Sequence, residues 1–135
     1  MDAVMIAALH SARAAEKAQA LFYRALAAEA ADRGDDSGVD RLNGLHADEQ
    51  HHLSRISARL LELGEGLIEV GGTRAERVPY EEWETHARTR EEAEIVRYEQ
   101  LTALPADEPT SALLREILGT ERNHARELGG KWTPA

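Results

Sequence analysis

The 135-residue sequence contains no cysteine. This absence excludes disulfides, zinc ribbons, iron–sulfur clusters held by cysteine and a thiol nucleophile. Aromatic residues make up only 4% of the chain, whereas hydrophobic residues make up 42%. We therefore expect aliphatic side chains to pack most of the core. Any redox chemistry must use a carrier other than sulfur.

Positive charge and long apolar runs are also scarce. The 16 Lys and Arg residues are outnumbered by 25 Asp and Glu residues, and they form no basic stripe that could follow a phosphate backbone. Near the start, charged residues interrupt the apolar run well before it could span a membrane, and no basic segment precedes that run. We expect a cytoplasmic protein that binds neither nucleic acid nor membrane.

Apolar residues recur at helical spacing in four segments, which predicts an all-α fold. The predicted helices cover residues 3 to about 33, 37 to about 63, 81 or 82 to about 104, and about 109 to 129 or 130. Ser37 and Asp40 give the second helix a start that is similar to a capping box.

The connections between these helices are short, long and short. The long one, from Gly64 to about Tyr80, is rich in glycine and predicts a crossover between the second and third helices. This connectivity is typical of a ferritin-like four-helix bundle rather than an up-down meander. We predict that a single domain of this kind covers residues 1–135.

Two Glu-x-x-His pairs are the first candidates for chemistry. Glu49 and His52 lie on the second predicted helix, and Glu121 and His124 lie on the fourth. Residues three apart project from the same side of a helix, and both pairs continue the apolar face of their helix. Buried carboxylates are costly unless their charge is compensated, so each pair requires a metal ion or a cationic partner.

An internal repeat supplies further carboxylates. Glu16-x6-Tyr23 on the first predicted helix is matched by Glu91-x6-Tyr98 on the third. The tyrosine hydroxyls lie on the same face as the glutamates and can hydrogen-bond to ligating carboxylates. One Glu from each of two helices and Glu-x-x-His from each of the other two is the ligand pattern of ferritin-like two-metal proteins. Such donors suit two iron or manganese ions.

Four stretches, EKAQALFYRALAAEA, ADEQHHLSRI, EEAEIVRYEQ and GTERNHAREL, resemble the four helices of the rubrerythrin family in the ferritin-like superfamily. The resemblance covers most of the chain. It implies that the metal ligands are Glu16, Glu49, His52, Glu91, Glu121 and His124. Glu94 matches the additional glutamate of the third helix that distinguishes rubrerythrins from bacterioferritins. The resemblance thus implies that Glu94 is a further metal ligand and a catalytic residue in peroxide reduction at a di-iron centre.

The sequence also departs from the family pattern. Rubrerythrins often carry a four-cysteine rubredoxin module, which this chain lacks, so we expect a separate electron-donor protein. Gln50 follows Glu49, where bacterioferritins have the methionine that holds haem, so we expect no haem. His46 lies one turn before Glu49, where the family usually has a small residue, and can be either a ligand or a core group. We further expect a homo-oligomer, a dimer.

Three functions are compatible with these features of the sequence. The first is a non-haem di-iron or di-manganese oxidoreductase that reduces peroxide. The second is a ferritin-like iron-binding protein or ferroxidase, which oxidises iron with dioxygen. The third is a metal-free helical assembly module, in which the core acids pair with each other or with arginines. Metal content separates the third from the others, and the preferred oxidant separates the first from the second.

Overall fold

The computed structural model describes residues 2–129. Within this range the chain forms four α-helices and one short 3-10 helix, and it contains no strand. The helices are α1 (Ala3–Asp32), α2 (Asp36–Glu62), α3 (Trp83–Thr102) and α4 (Glu108–Glu127), with the 3-10 helix Tyr80–Glu82 directly before α3. This content is consistent with a four-helix bundle, and it confirms the predicted all-α class. Gly130, a predicted end of the fourth helix, lies outside the described residues.

The connections follow the predicted order of lengths, with residues 33–35, 63–82 and 103–107 between successive α-helices. Gly34 and Gly64 end α1 and α2 with positive φ angles of 70° and 82°. At both ends the next N–H donates back to a carbonyl in the last turn, from Asp35 to Ala30 and from Glu65 to Leu60, each at 3.0 Å. These are Schellman motifs, which favour glycine because it has no Cβ.

The chain divides into two compact units. Residues 10–80 form one unit, with most of α1, all of α2 and the segment that follows. Arg13 of α1 connects these parts, because Nε donates to Ser57 Oγ of α2 at 2.8 Å and Nη1 donates to the Ile68 carbonyl oxygen at 2.6 Å. The side chains of Phe22, Leu42 and Ile56 are fully buried.

The other unit contains residues 2–9 and 81–129 of the described chain. Helices α3 and α4 contact each other along this unit. Its buried side chains include Met5 and Leu9 from the start of α1, Ile95 from α3 and Leu114 from α4. As predicted, aliphatic residues supply most of the packing, so the polar residues that share these buried faces are exceptional.

The predicted start of α2 is wrong in detail, because Asp35 rather than Ser37 caps the helix. Asp35 Oδ1 accepts a hydrogen bond from the Gly38 N–H at 3.0 Å, and Oδ2 accepts one from the Tyr80 hydroxyl at 2.6 Å. The guanidinium of Arg33 lies 4.7 Å from the centroid of the Tyr80 ring. The hydrogen bond from Tyr80, and then that from Gly38, lower the pKa of the Asp35 carboxyl. A carboxylate can serve two donors in this way.

Gly38→Ala tests this cap. An added methyl group would overlap the Asp35 carboxylate and the Tyr80 hydroxyl, so we expect a loss of about 1–3 kcal/mol in the free energy of unfolding, measured with urea. Gly44→Ala is the matched control in the same helix. Nothing lies within 4 Å of its added methyl, and we expect it to stabilise the protein by up to about 1 kcal/mol, since glycine disfavours helix. Equal stability of Gly38→Ala and the wild type would contradict the cap.

Candidate metal centre

The unit formed by residues 10–80 contains the first buried group of donors, which we call the first triad: Glu16 from α1 with Glu49 and His52 from α2. His52 Nδ1 lies 3.6 Å from Glu16 Oε1 and 3.4 Å from Glu49 Oε1. All three side chains are buried. Each offers one ligand atom, and these atoms lie within 4.8 Å of one another. The structure thus brings together three of the predicted ligands.

The charge balance of the first triad favours a cation. Burial acts to lower the pKa of His52, but hydrogen bonds to Glu16 and Glu49 and the charges of these carboxylates outweigh it and raise that pKa to about 10. The two carboxylates therefore hold a proton on the imidazole. A divalent metal ion can replace this proton and offset more of the negative charge, because metal ligands bind in their deprotonated forms.

The second triad lies in the unit that contains α3 and α4, and it consists of Glu91 from α3 with Glu121 and His124 from α4. His124 Nδ1 is 3.3 Å from Glu91 Oε1 and 3.4 Å from Glu121 Oε1. These side chains are also buried, and their ligand atoms lie within 4.8 Å of one another. The second triad therefore repeats the donor types and the helix order of the first.

Helix periodicity explains why both Glu-x-x-His pairs are buried. The buried positions of α2 recur every three or four residues, in a series that contains Leu42, Leu45, Glu49, His52 and Ile56. Two polar residues thus occupy consecutive core positions of an amphipathic helix. The same pattern places Glu121 and His124 on the buried face of α4. The predicted burial of both pairs is confirmed.

Glu94, the predicted catalytic residue and additional ligand, is placed differently. Its side chain is buried, but it belongs to neither group of converging ligand atoms within residues 2–129. Its Oε2 lies 3.5 Å from Nε of Arg97, three residues further along α3. Sequence reasoning did not consider Arg97, although the Glu-x-x-Arg spacing was an available signal for an ion pair. The role of Glu94 as a ligand stays a prediction.

The remaining candidates lie around the triads. Tyr23 and Tyr98 are both fully buried, and their predicted hydrogen bonds to ligating carboxylates stay predictions. His46 is half-buried and is not in either converging group of the described chain. Burial, followed by the charge of Arg24, lowers its pKa. Both roles considered for His46, as a ligand or as a core group, stay predictions.

The donor sets fit a divalent transition metal. Each triad offers two carboxylates and one imidazole, a mixture of oxygen and nitrogen donors that suits iron, manganese or zinc. Three protein donors leave further coordination positions for water, another carboxylate or a small substrate. The buried Glu and His groups can therefore hold metal ions, as the sequence predicted, and their donor types do not select one metal.

Comparison with protein-family models, with curated proteins and with solved structures found no match for this chain. The resemblance to rubrerythrins therefore stays an expectation from the sequence. Within residues 2–129, none of the helices combines the length and the apolar character that a membrane crossing requires.

Proposed function

We propose that this chain is a ferritin-like, rubrerythrin-type protein that holds two iron ions and reduces hydrogen peroxide. The observation that carries the proposal is the pair of buried triads, each with two glutamates and one histidine. In both, the first helix of a pair gives one Glu and the next helix gives Glu-x-x-His. The long connection at residues 63–82 supports the ferritin-like connectivity that accompanies such sites.

Glu16, Glu49 and His52 would hold one iron ion, and Glu91, Glu121 and His124 would hold the other. With both ions bound, ferrous iron would supply the two electrons that, together with two protons, reduce hydrogen peroxide to two water molecules. The helices hold the donor side chains of each triad in place. The buried aliphatic residues on the same helix faces limit the entry of bulk water. A separate electron-donor protein would restore the ferrous state. Manganese fits the same donors.

Two other functions keep support from particular observations. The position of Glu94 outside the converging groups favours a ferritin-like ferroxidase, since the other donors form the same site without it. The contacts of His52 Nδ1 with Glu16 and Glu49 at 3.6 and 3.4 Å are also compatible with a metal-free assembly module, in which a protonated imidazole would be the cationic partner of the core acids. Iron content and oxidant preference distinguish these functions from peroxide reduction.

The test begins with elemental analysis of protein purified without added metal, followed by anaerobic titration with ferrous iron. We expect two ions per chain, and we expect peroxide to oxidise the ferrous protein faster than dioxygen does in stopped-flow measurements. A chain that binds no iron would support the assembly module. Faster oxidation by dioxygen would support the ferroxidase.

Glu94→Ala sharpens this test. We expect both ions to remain bound, because the triads supply six donors without Glu94, while the preference for peroxide over dioxygen falls. Glu92→Ala is the matched control, since it removes the same charge from a half-buried position on α3, and it should leave both oxidation rates unchanged. If Glu94→Ala also leaves both rates unchanged, Glu94 takes no part in the reaction.

A further inference from the structure

The repeat that relates α1 to α3 differs in charge at two buried or partly buried positions of α3, which lie three and six residues after the matched glutamates Glu16 and Glu91. In α1 these positions hold Gln19 and Phe22, which are both buried. In α3 they hold Glu94 and Arg97. The second half of the chain thus has a carboxylate and a guanidinium where the first half has a neutral amide and a phenyl ring.

The two charged replacements contact each other. Glu94 Oε2 lies 3.5 Å from Arg97 Nε, and the side chains are 10% and 39% exposed respectively. Arg97 therefore reaches from the protein surface to a carboxylate that is nearly buried. Burial of an acid is costly without a compensating charge, which explains why the acid and the arginine occur together in one half of the repeat and are both missing from the other.

Glu94 also lies one helical turn from Glu91 of the second triad, on the same side of α3. Both side chains are buried. The Glu94 carboxylate thus has a guanidinium partner on one side and lies one turn from a metal-binding residue. Gln19, at the matching position of α1, differs from Glu94 because its amide carries no charge and is a weaker ligand for a hard cation. The two triads therefore differ in the group that lies one turn beyond the first glutamate.

We propose that Arg97 is a positioning residue that holds the Glu94 carboxylate away from the metal ion at the second triad. This inference rests on the proposed function, because it requires that the second triad binds a metal. Arg97 and the ion then compete for Glu94, which ligates the ion only when the attraction of the ion exceeds that of Arg97. By linkage, Arg97 lowers the affinity of the second triad for metal.

The test measures Mn²⁺ binding by titration calorimetry, with Mn²⁺ as a probe that avoids oxidation during the measurement. Arg97→Gln removes the competing charge, so we expect one of the two ions to bind about threefold to tenfold more tightly, a change of roughly 0.6–1.4 kcal/mol. Arg97→Lys keeps the charge and should retain most of the wild-type affinity. In Glu94→Gln, the further change Arg97→Gln should have almost no effect, because the arginine acts through Glu94.

Arg122→Gln is the matched control. Arg122 pairs with Glu99 at 3.2 Å, and these side chains are 42% and 39% exposed, so the variant removes an equal charge from the same unit without affecting Glu94. We expect its Mn²⁺ affinity to change by less than about twofold, since exposed ion pairs contribute little. Thermal melting of each variant without metal checks that it is folded.

The outcomes separate the inference from the proposed function. Unchanged affinity in Arg97→Gln would show that Arg97 is only a surface ion pair, and weaker binding would show that it holds Glu94 towards the metal, so either result overturns the inference. A wild-type chain that binds no Mn²⁺ or ferrous iron overturns both. If two ions bind and Arg97→Gln tightens one of them, but peroxide is not reduced, the inference stands and the proposed function fails.

Discussion

Glu49→Ala and Glu121→Ala will each abolish the binding of at least one metal ion. Each variant removes one of the three converging donors of a triad, and the remaining carboxylate and imidazole hold an ion poorly. Changes in residues that only support metal ligands cost about 10–100-fold in affinity, so we expect the loss of a ligand to cost at least about 100-fold. Elemental analysis after dialysis, together with calorimetric titration, measures the loss.

Exposed glutamates on the same helices provide the controls. Glu62→Ala removes a carboxylate from the end of α2 whose side chain is 64% exposed, and Glu116→Ala removes an exposed one from α4. Both controls should keep two ions. If Glu49→Ala or Glu121→Ala also keeps two tightly bound ions, the assigned ligands are wrong. Loss of both ions in either single variant would indicate that the binding of one ion depends on the binding of the other.

The periodicity of the sequence was enough to predict the helices and the burial of the Glu-x-x-His pairs. A residue three positions from another on an amphipathic helix has its direction fixed by the backbone, so Glu49 and His52 could be assigned to one buried face in advance. Helix geometry also made Glu16 and Glu91 plausible partners, because each begins a matched spacing to a tyrosine. Helix periodicity and residue spacing were therefore enough to predict most of the candidate metal ligands.

The details that the sequence did not reveal depend on contacts between side chains. The capping-box pattern predicted Ser37 as the start of α2 and missed the cap Asp35, whose carboxylate is also held by the hydroxyl of Tyr80, a residue distant in the chain. The spacing of Glu94 is compatible with a ligand position near Glu91 and equally with an ion pair to Arg97. Because Glu94 lies one helical turn from Glu91, the sequence predicts that Glu94 is a metal ligand. The structure shows in addition that Glu94 contacts Arg97.

Metal binding is also expected to raise the melting temperature. An ion that binds only the folded chain stabilises it by about 2.7 kcal/mol at a hundredfold excess over its dissociation constant. For a chain of this length, that corresponds to a rise of roughly 10 °C. Differential scanning calorimetry of the protein with ferrous iron under anaerobic conditions, and with a chelator, measures the difference.

The control for this prediction must account for the acidic surface, since the chain has a net charge of -9 and attracts any divalent cation. Mg²⁺ tests this effect, because it binds to exposed carboxylates but has little preference for imidazole. We expect ferrous iron or Mn²⁺ to raise the melting temperature far more than Mg²⁺ at the same concentration, and we expect this difference to disappear in the double variant Glu49→Ala/Glu121→Ala. Equal melting temperatures with and without ferrous iron would exclude a metal site in the folded protein, because an ion that binds only the folded state must stabilise it.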